Sequence, residues 1–323
     1  MENSSNNELW SILDKLRGIV SQKGLKLLEA IGIFHGDKRL NEIVKNQEII
    51  KLLDESYAIN PPIYIYKFLE KLINIFSPET TFDPWITIAS PTLMLSLKGV
   101  DGICRFPFEY EKVKRFYPDL TGKFVLGDLV NHPLKIRAKN DLVCCFSPFG
   151  MREPNFDKTK ESNDYTTLLI LKCIDLIPDN GRMIFLLAPS FFHNLNSKDL
   201  ILKSGLNIDA VFTIPSGAFL PETNITSNIV VFSKIKSEKT FVAEITENDK
   251  TNHLILENYK NRKAGKVIQL GSLVDINTYK SLRSIIFDHE FNELVKRIGF
   301  PPISLTDIAL KINALKEEIP DDI

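Results

Sequence analysis

With 323 residues, 44% of them hydrophobic, the chain can bury a substantial core and has the length of two domains, or of one large domain with extensions. Its 40 Lys and Arg against 41 Asp and Glu leave a formal charge of −1, which excludes a nucleic-acid binder working by overall charge but leaves local patches open. The start MENSSNNELW has no basic region and no apolar core, no apolar run is long enough to span a bilayer, and Cys104, Cys144, Cys145 and Cys173 form no Cys-x-x-Cys pair, so the expectations are a cytoplasmic protein with reduced cysteines, no membrane and no metal.

In chain order, Leu9, Ile12, Leu13, Leu16, Ile19 and Val20 recur at helical spacing behind a polar lead that can cap. Residues 39–53 repeat the pattern, and Pro61-Pro62 break it. Ile63–Phe76 follows as a third amphipathic helix. From Thr81 short apolar runs alternate with helical stretches, the signature of a mostly parallel sheet wrapped by helices. Strands are predicted at Thr81–Asp83 and at residues 102–106, 123–126, 142–146, 183–188, 210–214 and 229–233, with helices at 110–116, 165–177 and 198–204. The segment PSGAFLPETNITS between the last two strands holds no helix, so that pair is predicted antiparallel. Beyond Lys234, short strands fit residues 241–245 and 267–270, a helix fits 285–298, and residues 305–315 form a last amphipathic stretch after Pro301-Pro302.

The central segment 141–150 reads DLVCCFSPFG, an apolar strand ending in a turn. Around it stand YAINPPIYIYKFLEKLINIF, Phe82-Asp83-Pro84, Gly127-Asp128, DYTTLLILKCIDLIPDNGRMIFLLAPSFF and LILKSGLNIDAVFTIPSGAFLPETNITSNIVVFSK. In this order the signals resemble the N6-adenine DNA methyltransferase family, in particular the modification (M) subunit of type I restriction systems, over roughly residues 57–234. The resemblance implies an α/β Rossmann-like S-adenosylmethionine-dependent methyltransferase fold of about seven strands with the last pair antiparallel. It also implies an N-terminal helical domain at residues 1–60, the methyltransferase-like domain at 61–235 and a C-terminal extension at 236–323. DNA and a specificity or restriction subunit are the partners it implies.

By the same resemblance, Asp83 and Pro84 stand in the motif that cradles S-adenosylmethionine, and Asp128 stands where an acid contacts the cofactor's adenine ring. Segment 146–149 occupies the catalytic Asn-Pro-Pro-aromatic motif, with Phe146 at the Asn, Ser147 and Pro148 at the prolines and Phe149 at the ring that stacks on an extruded base. Two features depart from the family. Trp85, Ile86, Thr87 and Ile88 stand where glycine and small residues belong, and bulky or β-branched side chains resist the backbone a cradle requires. Phe146 offers no acceptor to an exocyclic amino group, which removes the directional part of the chemistry. Shifting the register by one puts Ser147 at the polar position, as in cytosine-N4 enzymes, but requires the loss of one proline.

Each candidate has an ordinary structural alternative: Asp83 as a turn cap, Asp128 as a turn aspartate, Phe149 as a core ring. Of the basic clusters, Lys260, Arg262, Lys263 and Lys266 rank first as a nucleic-acid contact, against a solvated surface. Three functions stay open. The first is a degenerate methyltransferase homologue that binds DNA or a partner, in a restriction-modification or other defence assembly. The others are an active adenine-N6 methyltransferase with divergent motifs and a module that binds neither DNA nor cofactor.

Overall fold

The computed structural model describes residues 61–117, 124–131, 139–147, 149–152, 162, 164–193, 195–220 and 223–298. The expected N-terminal helical domain, Pro148 and the stretch at 305–315 lie outside the described residues. Two compact units divide at Leu282/Arg283. The first holds one nine-stranded sheet in the order β3-β2-β1-β4-β5-β7-β6-β8-β9. Its strands are β1 (Thr81–Asp83), β2 (Val100–Cys104), β3 (Phe124–Leu126), β4 (Leu142–Cys145), β5 (Arg182–Leu187), β6 (Asn207–Ile214), β7 (Ser227–Ser233), β8 (Thr240–Glu244) and β9 (Ser272–Val274).

The first five strands run parallel to one another. β7 runs antiparallel to both β5 and β6, as the helix-free connection predicts. The sheet continues past residue 235, where the sequence places the extension: β8 pairs parallel with β6, and β9 antiparallel with β8. Among the described residues the sheet therefore has nine strands, where about seven are expected. The stretch 267–270 is a 3-10 turn (Ile268–Leu270) instead of a strand. The strand starts only after Gly271, whose φ of 139° and closeness to the Phe241 ring leave no room for a side chain.

Among the described residues the helices of the first unit are α1 (Ile63–Phe76), α2 (Pro91–Met94), α3 (Pro107–Phe116), α4 (Tyr165–Cys173), α5 (Ser190–His193), α6 (Leu195–Lys203) and α7 (Asp249–Lys260). α1 buries Ile65, Phe68, Leu69 and Leu72 on one stripe and ends where Ser77 turns left-handed, donating its N–H to the Ile73 carbonyl. Its stripe packs on alternate residues of the sheet, among them Cys144, Ile184, Leu186, Phe212 and Val231. Phe68 meets Phe212 edge-on at 5.0 Å, and burial of each such ring contributes about 2 kcal/mol. The intervening residues face the other side, where Phe185 and Phe191 both meet Phe232. Both faces being covered explains why β4, β5 and β7 read as unbroken apolar runs rather than alternating ones. Helix α8 (Leu282–Ile298) begins on the last residue of the first unit, and the rest of it is the described part of the second.

Candidate functional site

The chain steps from β1 through β2 to β3 on one side and from β4 to β5 on the other, so the order reverses between β1 and β4. Open α/β sheets hold ligands at such a point, outside the carboxyl ends of the strands. Asp83 ends β1, Arg105 follows β2, Asp128 follows β3, and Phe146 and Ser147 follow β4. The topology thus gathers at one edge Asp83, Pro84 and Asp128, named from sequence at the cofactor motif, and Phe146 and Ser147, named at the catalytic one.

Asp83 is fully buried and engaged by its own turn. One carboxylate oxygen accepts the Trp85 N–H at 2.9 Å, and the other accepts the Thr92 hydroxyl at 2.7 Å. Burial pushes its pKa up to about 6, although the hydrogen bonds from Thr92, the Trp85 backbone and Ser90 pull it back in part. After Pro84, residues Trp85, Ile86, Ile88 and Ala89 are all buried. The Ile86 N–H donates to the Ile103 carbonyl at 2.8 Å, which lays the Ile86 side chain on Gly102. A Cβ at Gly102 would meet Ile86 Cδ1 at 2.2 Å. The glycine that permits close approach sits in β2, and an isoleucine of the same protein uses the space.

Arg105 occupies the crevice itself. Its guanidinium lies 4.2 Å from the Tyr165 ring centre and 5.5 Å from that of Trp85, and it pairs with Asp128 at 3.2 Å. Trp85 and Tyr165 meet edge-on at 5.4 Å. Asp128 also accepts from the Tyr165 hydroxyl at 2.8 Å, the Val130 N–H at 2.9 Å and the Asn131 side-chain amide at 3.0 Å. Burial raises the Asp128 pKa, but the bonds from Tyr165 and Asn131 and the Arg105 charge outweigh it and hold the carboxyl below its ordinary value. Both acids of the cofactor motif thus have protein partners, and a guanidinium with two aromatic rings fills the space beside them. The residues present do not fit S-adenosylmethionine in this crevice.

At the end of β4, Phe146 is buried in the core rather than turned to an open pocket. The Ser147 and Thr166 hydroxyls share a buried hydrogen bond of 3.0 Å. Phe149 packs edge-on against Phe219 at 6.1 Å, and Gly150 turns with φ 69°. Beyond them a cavity of about 210 Å³ opens at the ends of β4 and β5, lined by Phe149, Arg152, Asp164, Thr166, Phe191 and Ser197. Asp164 caps α4, accepting the Thr167 N–H at 2.8 Å and its hydroxyl at 2.6 Å. The Ser197 hydroxyl is buried without a partner among the described residues.

The basic cluster lies elsewhere. Arg262 donates to the Asp209 carbonyl at 3.1 Å and its carboxylate at 3.2 Å, and also to Ser237 and the Lys239 carbonyl. Those partners stand near the start of β6 and ahead of β8, so the turn sits at the amino edge, opposite the crevice. Arg262 is spent on the fold, whereas Lys260, Lys263 and Lys266 are exposed. No group of three metal-binding side chains and no helix long and apolar enough to cross a membrane occurs among the described residues.

No protein-family model and no curated protein matches the chain. Its fold does match solved structures. One is a modification subunit of a candidate type I restriction enzyme from Vibrio vulnificus, with TM-score 0.54, 17% identity and 77% of this chain covered. The chain spans 65% of that protein's length. A second is the type I restriction-modification methyltransferase subunit from Streptococcus thermophilus, with TM-score 0.54, 13% identity, and 88% and 78% of the two chains covered. A third is a candidate class I S-adenosylmethionine-dependent methyltransferase from Listeria monocytogenes, with TM-score 0.53, 16% identity, and 80% and 99% covered. The architecture is that of the methyltransferase fold, as the sequence order implies.

Proposed function

We propose that this chain is a methyltransferase-fold subunit that binds DNA or a partner protein within a restriction-modification type of assembly without transferring methyl groups. The observation that carries this reading is the Arg105 plug, a guanidinium packed against both Trp85 and Tyr165 and paired with Asp128, in the crevice at the switch point. Ile86 against Gly102 closes the same place from the β1 side. Phe146 adds the second argument, since a buried ring cannot accept a hydrogen bond from an adenine amino group. Preserved topology with a filled cofactor crevice is the pattern of a fold retained for recognition, because fold alone does not imply activity.

Calorimetry with S-adenosylmethionine tests the reading directly. The expected result is no heat of binding down to a dissociation constant of about 1 mM. Incubation of the chain with labelled methyl donor and adenine-containing DNA is expected to leave the DNA unlabelled. Micromolar binding of the donor, or label on adenine, overturns the proposal and favours the active enzyme with divergent motifs.

A further inference from the structure

Helix α8 buries only Leu282 among its 17 residues. Four of its large apolar side chains are exposed: Phe287 is 64% exposed, Phe291 41%, Leu294 42% and Ile298 54%. They are spaced four, three and four residues apart, which aligns them as one seam along the helix and is the a/d spacing of a two-stranded coiled coil. Phe287 and Phe291 already stack on each other at 6.1 Å. Scattered exposed apolar residues need no explanation, but a continuous seam calls for a partner.

The order of residues says which partner. The spacing of the seam is the same from either end. Phe287 and Ile298 lie equally far from the midpoint between Asn292 and Glu293, as do Phe291 and Leu294. The flanking charges are opposed in net sign about the same midpoint, with Arg283, Asp288 and Glu290 before it and Glu293, Lys296 and Arg297 after it. We infer that α8 pairs antiparallel with the α8 of a second copy of this chain. Two-fold symmetry then sets Phe287 against Ile298 and Phe291 against Leu294, each twice. Glu290 and Arg297, both at the g position beside the seam, face each other across both ends of the pair. Helix dipoles oppose, which also favours this orientation. A parallel pair would bring the two acidic stretches together and the two basic ones together.

A seam this short belongs to the weak class of interfaces, with a dissociation constant of about 10 to 100 µM. Sedimentation of the full chain from about 5 to 500 µM is therefore expected to show monomer passing to dimer. Phe291→Glu, at an exposed position and so expected to leave the circular dichroism unchanged, is expected to remain monomeric throughout. Glu290→Lys alone and Arg297→Glu alone are each expected to weaken the dimer about tenfold. Mixed in equal amounts, those two variants are expected to pair as tightly as the unsubstituted chain. In the mixed pair the introduced lysine meets the introduced glutamate at one end, and the original Glu290 and Arg297 meet at the other. A chain that stays monomeric, a dimer indifferent to Phe291→Glu, or a mixture that fails to recover overturns the inference.

Discussion

At Asp83 the fold buries a carboxyl group and answers it with hydrogen bonds, with no cation beside it among the described residues. Its pKa is about 6 in the folded chain, against about 3.9 in an unfolded one. Below about pH 4 the proton is on in both states. Between about pH 4 and 6 the unfolded chain has lost it while the folded chain keeps it, so rising pH favours unfolding through that window. The folded state then carries a standing penalty on the order of 3 kcal/mol at neutral pH. Asp83→Asn keeps an acceptor for the Trp85 N–H and can donate to Thr92. Urea titrations are expected to show the two proteins equal near about pH 4, the asparagine variant gaining between about pH 4 and 6, and a constant gap above. Arg105 is the reverse case, a cation with every surface used. Arg105→Ala leaves Asp128 without its counter-charge and two rings without their cation, a loss of roughly 3 kcal/mol in the same titrations. Arg105→Lys is expected to recover only part of it, because an ammonium neither forks nor stacks.

At the scale of elements, the approach of the β1 turn to β2 is set by one missing side chain. Gly102→Ala would place a Cβ 2.2 Å from Ile86 Cδ1 and 2.5 Å from the Asp83 carbonyl oxygen. A side chain can move and a strand carbonyl cannot, so a cost of about 3 kcal/mol is expected, read from the urea midpoint. Adding Ile86→Ala is expected to return only part of it. The strand and helix pattern is legible in the sequence where signals are local. Pro61-Pro62 announce α1, and continuous apolar runs announce β4, β5 and β7. Helix α7 is not announced, because Ile255, Leu256 and Tyr259 make a narrow stripe among polar residues. Its one local signal is Asn248, whose side chain accepts the N–H groups of Lys250 and Thr251. The departures at Ile86 and Phe146 can be read directly, since they are substitutions within a motif. The Arg105 plug cannot, because Trp85, Asp128 and Tyr165 meet only after β1, β2, β3 and β4 have been assembled side by side.

For the molecule as a whole, the sheet separates two surfaces that the sequence can only enumerate. The carboxyl edge carries Phe149, Arg152 and the cavity, and the amino edge carries Lys260, Lys263 and Lys266. If the chain engages duplex DNA through the amino edge, the affinity must carry the salt dependence of those three cations. Each phosphate neutralised contributes about 0.9 to the slope of log affinity against log salt. Replacing all three lysines with glutamine is therefore expected to lower the steepness of that slope by about 2.7 in mobility shifts run at several salt concentrations. Phe149→Ala, at the opposite edge, should leave the slope as it was. Arg262 is the control within the cluster. Its guanidinium is committed to Asp209, Ser237 and Lys239, so Arg262→Ala should lower the melting temperature while changing the slope by less than about one phosphate. Equal slopes for the triple variant and the unsubstituted chain would move any DNA contact away from the amino edge, because counterion release counts the phosphates a surface neutralises and not merely how tightly the complex is held.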